Sequence, residues 1–161
     1  MKRNKTHQLV LFAMFAALTT VMTLLFRIPI PSAQCYVNIG DTILLLAALI
    51  MGPAAGFWAG AIGSTLADMM AGYAMYMPFT FFVKGVEGFL AGVIYKKTGK
   101  SSVAVFLPAL WMTGGYFLTD WFLYGLAAAI AASPMNLLQG LIGAAFAIIL
   151  YKILGPILKI K

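Results

Sequence analysis

The sequence predicts an all-α membrane protein, a single bundle of six transmembrane helices with both its amino and carboxyl termini in the cytoplasm. The first observation is composition: 63% of the 161 residues are hydrophobic and only 9% are charged, whereas soluble domains are about 45–50% apolar. The second is a series of six apolar runs, and the third is the placement of basic residues between them. A chain of this length has room for one transmembrane domain, expected to cover residues 1–161, and for no separate soluble domain.

The apolar runs define the predicted helices. None of them alternates in the manner of a barrel strand, so each is expected to be helical. The six runs are Gln8 to Phe26, Thr42 to Met51, Ala54 to Ala71, Pro78 to Tyr95, Val103 to Ala131 and Pro134 to Leu154. The second run is shorter than the ~20 residues of a crossing, so its helix is expected to begin earlier, near Val37. The fifth run is predicted to be one helix despite Thr113-Gly114-Gly115, because splitting it would place Lys159 outside.

Basic residues support this count of crossings. If the chain crosses six times, nine of its eleven basic residues fall on one side of the membrane. These nine are Lys2, Arg3, Lys5, Lys96, Lys97, Lys100, Lys152, Lys159 and Lys161. Because Lys and Arg favour cytoplasmic loops, this side is the cytoplasmic one, and the protein is expected in a prokaryotic plasma membrane. Arg27 lies on the opposite side, and Lys84 lies within a crossing.

The longest segment expected outside a helix is the extracellular loop of residues 27–40. It contains Pro29, Pro31 and Asn38, which disfavour a helix, and it is interpreted as a candidate lid over the bundle. The first apolar run exceeds a signal-peptide core and no convincing cleavage site follows it, so it is expected to stay in the protein. The single Cys35 cannot form an internal disulfide.

Several functional classes lack the motifs that they need. Gly99-Lys100-Ser101 resembles the end of a phosphate-binding loop, but that loop requires glycine where Ile94 stands. The single His7 cannot build a histidine-based metal site or a Ser-His-Asp triad. The net charge of +7 comes from cytoplasmic loops and does not indicate a nucleic-acid-binding face. We therefore expect no catalytic residues, no metal and no cofactor.

Polar side chains form a stripe on each of four predicted helices. A charge within a membrane costs about 2.5–3.5 kcal/mol on insertion scales, so such residues usually face a cavity or one another. On the fourth helix, Thr80, Lys84 and Glu87 share one face because they are spaced by four and three residues. Most stripes lie in the outer half of the membrane. They predict an outward-facing pocket for a polar, planar solute, formed by Thr80, Lys84, Glu87, Asp120, Trp121, Tyr124, Asn136 and Gln139.

Structural explanations exist for parts of this pattern. Lys84 and Glu87 are at a spacing that also permits an intrahelical ion pair, and Tyr73 and Tyr76 are also typical of an interfacial aromatic belt. Small residues form a second pattern, with four-residue spacing in Gly52, Gly56 and Gly60, in Gly88 and Gly92, and in Ala13 and Ala17. For the glycines, close packing between helices is the favoured interpretation.

Read in order, these features resemble the substrate-binding S component of energy-coupling factor (ECF) vitamin transporters. The resemblance rests on Ala13-x-x-x-Ala17, Gly40-Asp41, Gly52-Pro53-x-x-Gly56, Asp68, Gly72-Tyr73, Pro78-x-Thr80 and Lys84-Gly85. It spans nearly the whole chain. It implies a high-affinity subunit that captures a vitamin at the outer face and docks on a transmembrane T component driven by two cytoplasmic ATPases. In that family the small-residue face of the first helix, here Ala13 and Ala17, is the docking surface, and the first loop gates the pocket.

The resemblance also narrows the substrate. The chain looks closest to the branch associated with riboflavin, hydroxymethylpyrimidine and pyridoxine, and it lacks the histidine-rich amino terminus of metal-specific members. A small aromatic heterocycle, hydroxymethylpyrimidine or pyridoxine, is the expected ligand, and riboflavin is the alternative. Two other classes stay open, a self-contained secondary transporter, which would need coupling acids on an inverted repeat, and an intramembrane enzyme.

Overall fold

The protein folds as six α-helices with a short β-hairpin between the first two. The computed structural model describes residues 5–30 and 35–157, and for residues 29–30 and 35–37 it describes the backbone alone. The elements are α1 Lys5–Leu25, β1 Ile28–Ile30, β2 Cys35–Val37, α2 Gly40–Met51, α3 Pro53–Ala71, α4 Met77–Thr98, α5 Ser101–Tyr124 and α6 Leu126–Ile157. Within this part of the chain, α1, α4, α5 and α6 are long and apolar enough to cross a membrane, and α2 is a shorter apolar helix. The predicted six-helix architecture is confirmed.

The start of α2 differs from the prediction. The helix begins at Gly40, and Val37 belongs instead to strand β2, where it pairs with Ile28 of β1 in antiparallel register. The side chain of Asn38 ends the strand, because its Oδ1 accepts a hydrogen bond from the backbone N–H of Gly40 at 2.8 Å. With 12 residues, α2 is about 18 Å long, shorter than the ~30 Å hydrocarbon core.

The boundary between the last two helices was also predicted wrongly. It falls at Gly125, whose φ of 88° is accessible to glycine at little cost, and not between Ala131 and Pro134. Helix α6 runs through Pro134, which lacks a backbone N–H but is tolerated within membrane helices. Ser133 supports this stretch by donating from Oγ to the carbonyl oxygen of Ala129 at 2.6 Å. The prediction that Thr113-Gly114-Gly115 stays within one helix is correct.

Glycines bring α3 and α4 into backbone contact. A Cβ added to Gly56 would overlap the carbonyl of Gly88, and one added to Gly60 would overlap the carbonyl of Lys84. Gly92 approaches Pro53 in the same way. The predicted packing role of these glycines is confirmed, and its consequence is that α4 and its polar face are held close to α3.

Helix α2 forms the centre of the bundle. Every residue from Gly40 to Leu49 is buried, and the main apolar cluster extends from this helix to Phe15 on α1 and Val105 on α5. The amino-terminal end of α2 therefore lies inside the bundle, enclosed by the surrounding helices.

Candidate functional site

A polar cavity lies at the amino-terminal end of α2. Residues from helices α1, α3, α4, α5 and α6, from the loop before α2 and from the loop before α4 line it. These residues are Thr23, Asn38, Ser64, Asp68, Tyr73, Tyr76, Thr80, Lys84, Tyr116, Asp120, Asn136 and Gln139. The cavity volume is about 30 Å³, room for about two water molecules. The site is thus polar and narrow, and most of its side chains are buried.

Lys84 lies at one wall of the cavity between two carboxylates. Its Nζ donates to Oδ1 of Asp41, in the first turn of α2, and to Oε2 of Glu87 at 3.2 Å. These side chains are 2%, 1% and 0% exposed, so water screens the charges very little. Lys84 and Glu87 therefore do form the ion pair that their spacing permits, and Asp41 is a second partner of the same lysine.

Gln139 extends this group to α6 and to the loop before α2. Its Nε2 donates to Oδ2 of Asp41 at 2.8 Å, and its Oε1 accepts from the backbone N–H of Asn38 at 3.0 Å. Asn38 in turn accepts at Oδ1 from Gly40. A continuous set of hydrogen bonds thus joins α4, α2, α6 and the end of the hairpin.

Asp120 and Tyr76 form a second polar contact in the cavity. The Tyr76 hydroxyl donates to Oδ1 of Asp120 at 2.5 Å, and both side chains are buried. Nearby, the hydroxyls of Thr80 and Tyr116 are 3.1 Å apart, and Nζ of Lys84 lies 5.5 Å from the centre of the Tyr116 ring. Two aromatic rings therefore line the same space as the charged groups.

Most of the residues predicted for the site lie together. The cavity lining includes Thr80, Lys84, Asp120, Asn136 and Gln139. Because α6 begins at Leu126, Asn136 and Gln139 lie well inside that helix, whereas the sequence predicted them at its start. Glu87 is buried behind Lys84 and does not line the cavity.

The two remaining aromatic predictions lie elsewhere. The Tyr124 ring is 6.1 Å from the Tyr76 ring, and Tyr124 lines a hollow above the cavity with Tyr73 and Tyr76. Trp121 is 52% exposed and packs at 6.2 Å against Phe117 of its own helix, and it does not line the cavity. The physical reason is helical: adjacent residues are turned by about 100°, so Trp121 cannot share the face of Asp120 despite its similar depth.

The sequence analysis did not assign several residues of the site. Asp41, which lies behind the cavity lining as a partner of Lys84, and Tyr76, which lines the cavity as the partner of Asp120, are the most important of these. Asp41 had a visible signal, since it is an acid at the edge of an apolar run. Tyr76 had none beyond its interfacial position. Among the described residues, no cluster of three His, Cys, Asp or Glu side chains could hold a metal ion.

Comparison with known proteins identifies the family. The model of the ECF-type riboflavin transporter S component matches residues 3–155 of this chain. The chain belongs to this family. It is therefore a multi-pass membrane protein and a substrate-capture S component of vitamin transport.

Two relatives and one solved structure are similar to this chain over most of its length. The thiamine precursor transporter HmpT of Lactococcus lactis subsp. cremoris is 32% identical over 160 residues, covering 99% of this chain and 92% of that protein. An uncharacterized protein of Pyrococcus woesei is 39% identical over 147 residues, covering 87% of this S component and 99% of the relative. The solved S component of a bacterial ECF transporter has a TM-score of 0.78 at 22% identity, with coverage of 97% of this chain and 99% of that one. That structure supports the fold.

Proposed function

We propose that this S component captures hydroxymethylpyrimidine, or a single-ring heterocycle of similar size such as pyridoxine, from the outer side of the membrane. The observation that carries the proposal is the buried cavity in which Lys84, Asp120 and Gln139 converge from three helices. A relative of nearly the same length is named as a thiamine precursor transporter, and the pyrimidine precursor of thiamine is a solute of this kind.

The side chains of the cavity suit a small, flat, polar ligand. Tyr76 and Tyr116 offer ring faces for stacking, and the Asn136 amide offers both donors and an acceptor. Lys84 has three N–H donors and uses two of them on Asp41 and Glu87, which leaves one for the solute. The ion pairs hold the ammonium in place, so a structural role and a binding role for Lys84 are compatible.

Riboflavin is the second candidate, because the matching family model carries its name. Its three fused rings would need a much larger space than the cavity volume of about 30 Å³. Riboflavin binding would require α1, the hairpin or the α3–α4 loop to move outward. A single ring requires less displacement, and we favour it for that reason.

Transport would depend on partners, as the ECF architecture implies. The proposed assembly comprises a transmembrane T component and two cytoplasmic ATPases that supply the energy. Ala13 and Ala17 are exposed on α1 and line an apolar groove of about 500 Å³ with Trp58, Ile62 and Leu66 of α3. Small side chains there permit the close approach of a partner helix. We propose residues 27–40 as the lid, tied to the site through Asn38.

Identification of the ligand that co-purifies with the protein tests this proposal. Mass spectrometry of the extracted ligand is expected to find hydroxymethylpyrimidine or pyridoxine, unaltered, and titration of the emptied protein should give tight binding of the same compound. Tight binding of riboflavin instead would replace the ligand assignment. A chemically altered product would favour an enzyme, and uptake into liposomes by the isolated protein under an ion gradient would favour a secondary transporter.

A further inference from the structure

All four carboxylates of the chain lie at or next to this one site. Asp41, Asp68, Glu87 and Asp120 are the only acidic residues in the sequence, and each is 5% exposed or less. Among the described residues, Lys84 is the only basic side chain buried with them. Asp41 and Glu87 are both bonded to Lys84. Asp68 has an interaction of its own within the protein.

Within the part of the chain that the structure describes, Asp120 is hydrogen-bonded through only one of its two carboxylate oxygens. Its Oδ1 accepts from Tyr76, but its Oδ2 is buried and has no hydrogen-bond partner among the described residues. The side chain is 2% exposed and lines the cavity, close to Tyr76 and Asn136. A buried acceptor without a partner is energetically costly. A ligand that donates a hydrogen bond to Oδ2 would remove that cost.

We infer that Asp120 selects the ligand by an amino-bearing edge of its ring. The inference rests on the proposed function, and it names the group that distinguishes one heterocycle from another. A carboxylate is acceptor-only, so Oδ2 pairs with an exocyclic amino group of the bound heterocycle. A ligand with a ring carbonyl at that place sets an acceptor against an acceptor and leaves both unpaired. Such a mismatch is the kind that polar sites reject most strongly.

Hydroxymethylpyrimidine carries an amino group on its ring and fits this requirement. Its analogue with oxygen in place of the amino group has nearly the same shape but presents a carbonyl at that edge. Comparing the two compounds therefore isolates the contact with Asp120. The wild-type protein is expected to bind the amino compound about ten- to a hundredfold more tightly than the oxo analogue.

The test is calorimetric titration of both compounds into wild type, Asp120→Asn and Asp68→Asn, each checked for folding by thermal melting. Asp120→Asn keeps the shape but gives the side chain an N–H₂ donor, so the preference for the amino compound should fall to a few-fold or reverse. Asp68→Asn removes the same charge from the same cavity and should change the affinity for both compounds alike, so that their ratio stays the same. If the preference for the amino compound falls equally in both variants, then net charge sets it and the Asp120 contact does not. That result would overturn the inference.

The comparison of the two compounds on wild type can refute the inference even if Asp120→Asn does not fold. Equal binding of the amino and oxo compounds to wild type would refute the role of Asp120 while leaving capture of a pyrimidine intact. Binding of neither compound, with tight binding of riboflavin, would instead refute the proposed ligand class and this inference with it.

Discussion

The ammonium of Lys84 on α4 and the carboxylate of Asp41 on α2 are bonded to each other in the interior of the bundle. This contact joins two helices, whereas the neighbouring pair of Lys84 with Glu87 joins two turns of one helix. Asp41 also accepts from Gln139 of α6. The lysine is therefore the cation on which the buried acids Asp41 and Glu87 of two helices depend, and its removal has consequences for folding as well as for binding.

Lys84→Met should strongly destabilise the ligand-free protein. The substitution leaves Asp41 and Glu87 buried without a counter-charge, and breaking a buried ion pair from one side costs about 3–5 kcal/mol. Replacing all three residues, by Lys84→Met, Asp41→Asn and Glu87→Leu, should recover much of the stability, since neither partner of the lysine then carries an uncompensated charge. Thermal melting in detergent measures both effects. A Lys84→Met protein that melts like wild type would contradict this account.

The α3–α4 contact predicts a sharp difference between two glycine substitutions. Gly56→Ala places a methyl group against the backbone of Gly88 and must push the helices apart, so the melting temperature should fall by several degrees. Gly114→Ala on α5 is the matched control, because nothing lies within 4 Å of its added Cβ. It should be neutral or slightly stabilising, as alanine favours a helix over glycine. Equal melting of the two variants would rule out close packing at Gly56.

Tyr76→Phe should reduce both stability and ligand affinity. The ring contacts with Tyr116 and Tyr124 are kept, but Asp120 loses its bonded hydroxyl, at a cost of about 1–3 kcal/mol. Tyr95→Phe is the control. It removes a hydroxyl bonded to Tyr151 at 2.6 Å, in the half of α4 remote from the cavity, so affinity should not change. Titration of both variants measures this, and equal losses of affinity would dismiss a local role for Tyr76.

A bulky side chain at Ala13 or Ala17 should block assembly without affecting capture. Ala13→Trp fills the apolar groove between α1 and α3, so the T component should no longer co-purify and uptake should fall, while the solitary protein still binds its ligand. Ala145→Trp, at an exposed alanine of α6, controls for added bulk and should assemble normally. Loss of binding with assembly intact would reverse the assignment of this face.

Membrane orientation can be tested with single cysteines in a Cys35→Ser background. An impermeant thiol reagent added to intact cells should label Met75→Cys, which is 64% exposed in the loop before α4, and should not label Lys100→Cys. Labelling of both sites from outside would refute this arrangement, because the loop at Lys100 and both termini are predicted to lie on the same, cytoplasmic side.

Local patterns in the sequence account for much of the fold and for part of the site. Helical spacing was enough to group Thr80 with Lys84, and glycine spacing predicted the α3–α4 contact. The Lys84–Asp41 bond was not predictable in this way, because it depends on how α2 and α4 are placed in space. The errors at Val37 and Pro134 have a common cause: hydrophobicity locates a segment in the membrane, but Asn38 and Gly125 set the ends of the helices through backbone geometry.

The brevity of α2 determines where a solute can be held. The chamber exists because the central helix α2 begins late, at Gly40. Its first turn forms the floor of the chamber, and Asp41 lies in that turn. Chamber depth then changes in steps of one helical turn, about 5.4 Å. Lengthening α2 upward by a turn would fill the space, and shortening it by a turn would admit a longer molecule. Six-helix proteins of this architecture can therefore adapt to solutes of different length by changing where this central helix begins. The surrounding helices and the surfaces that contact partners stay unchanged.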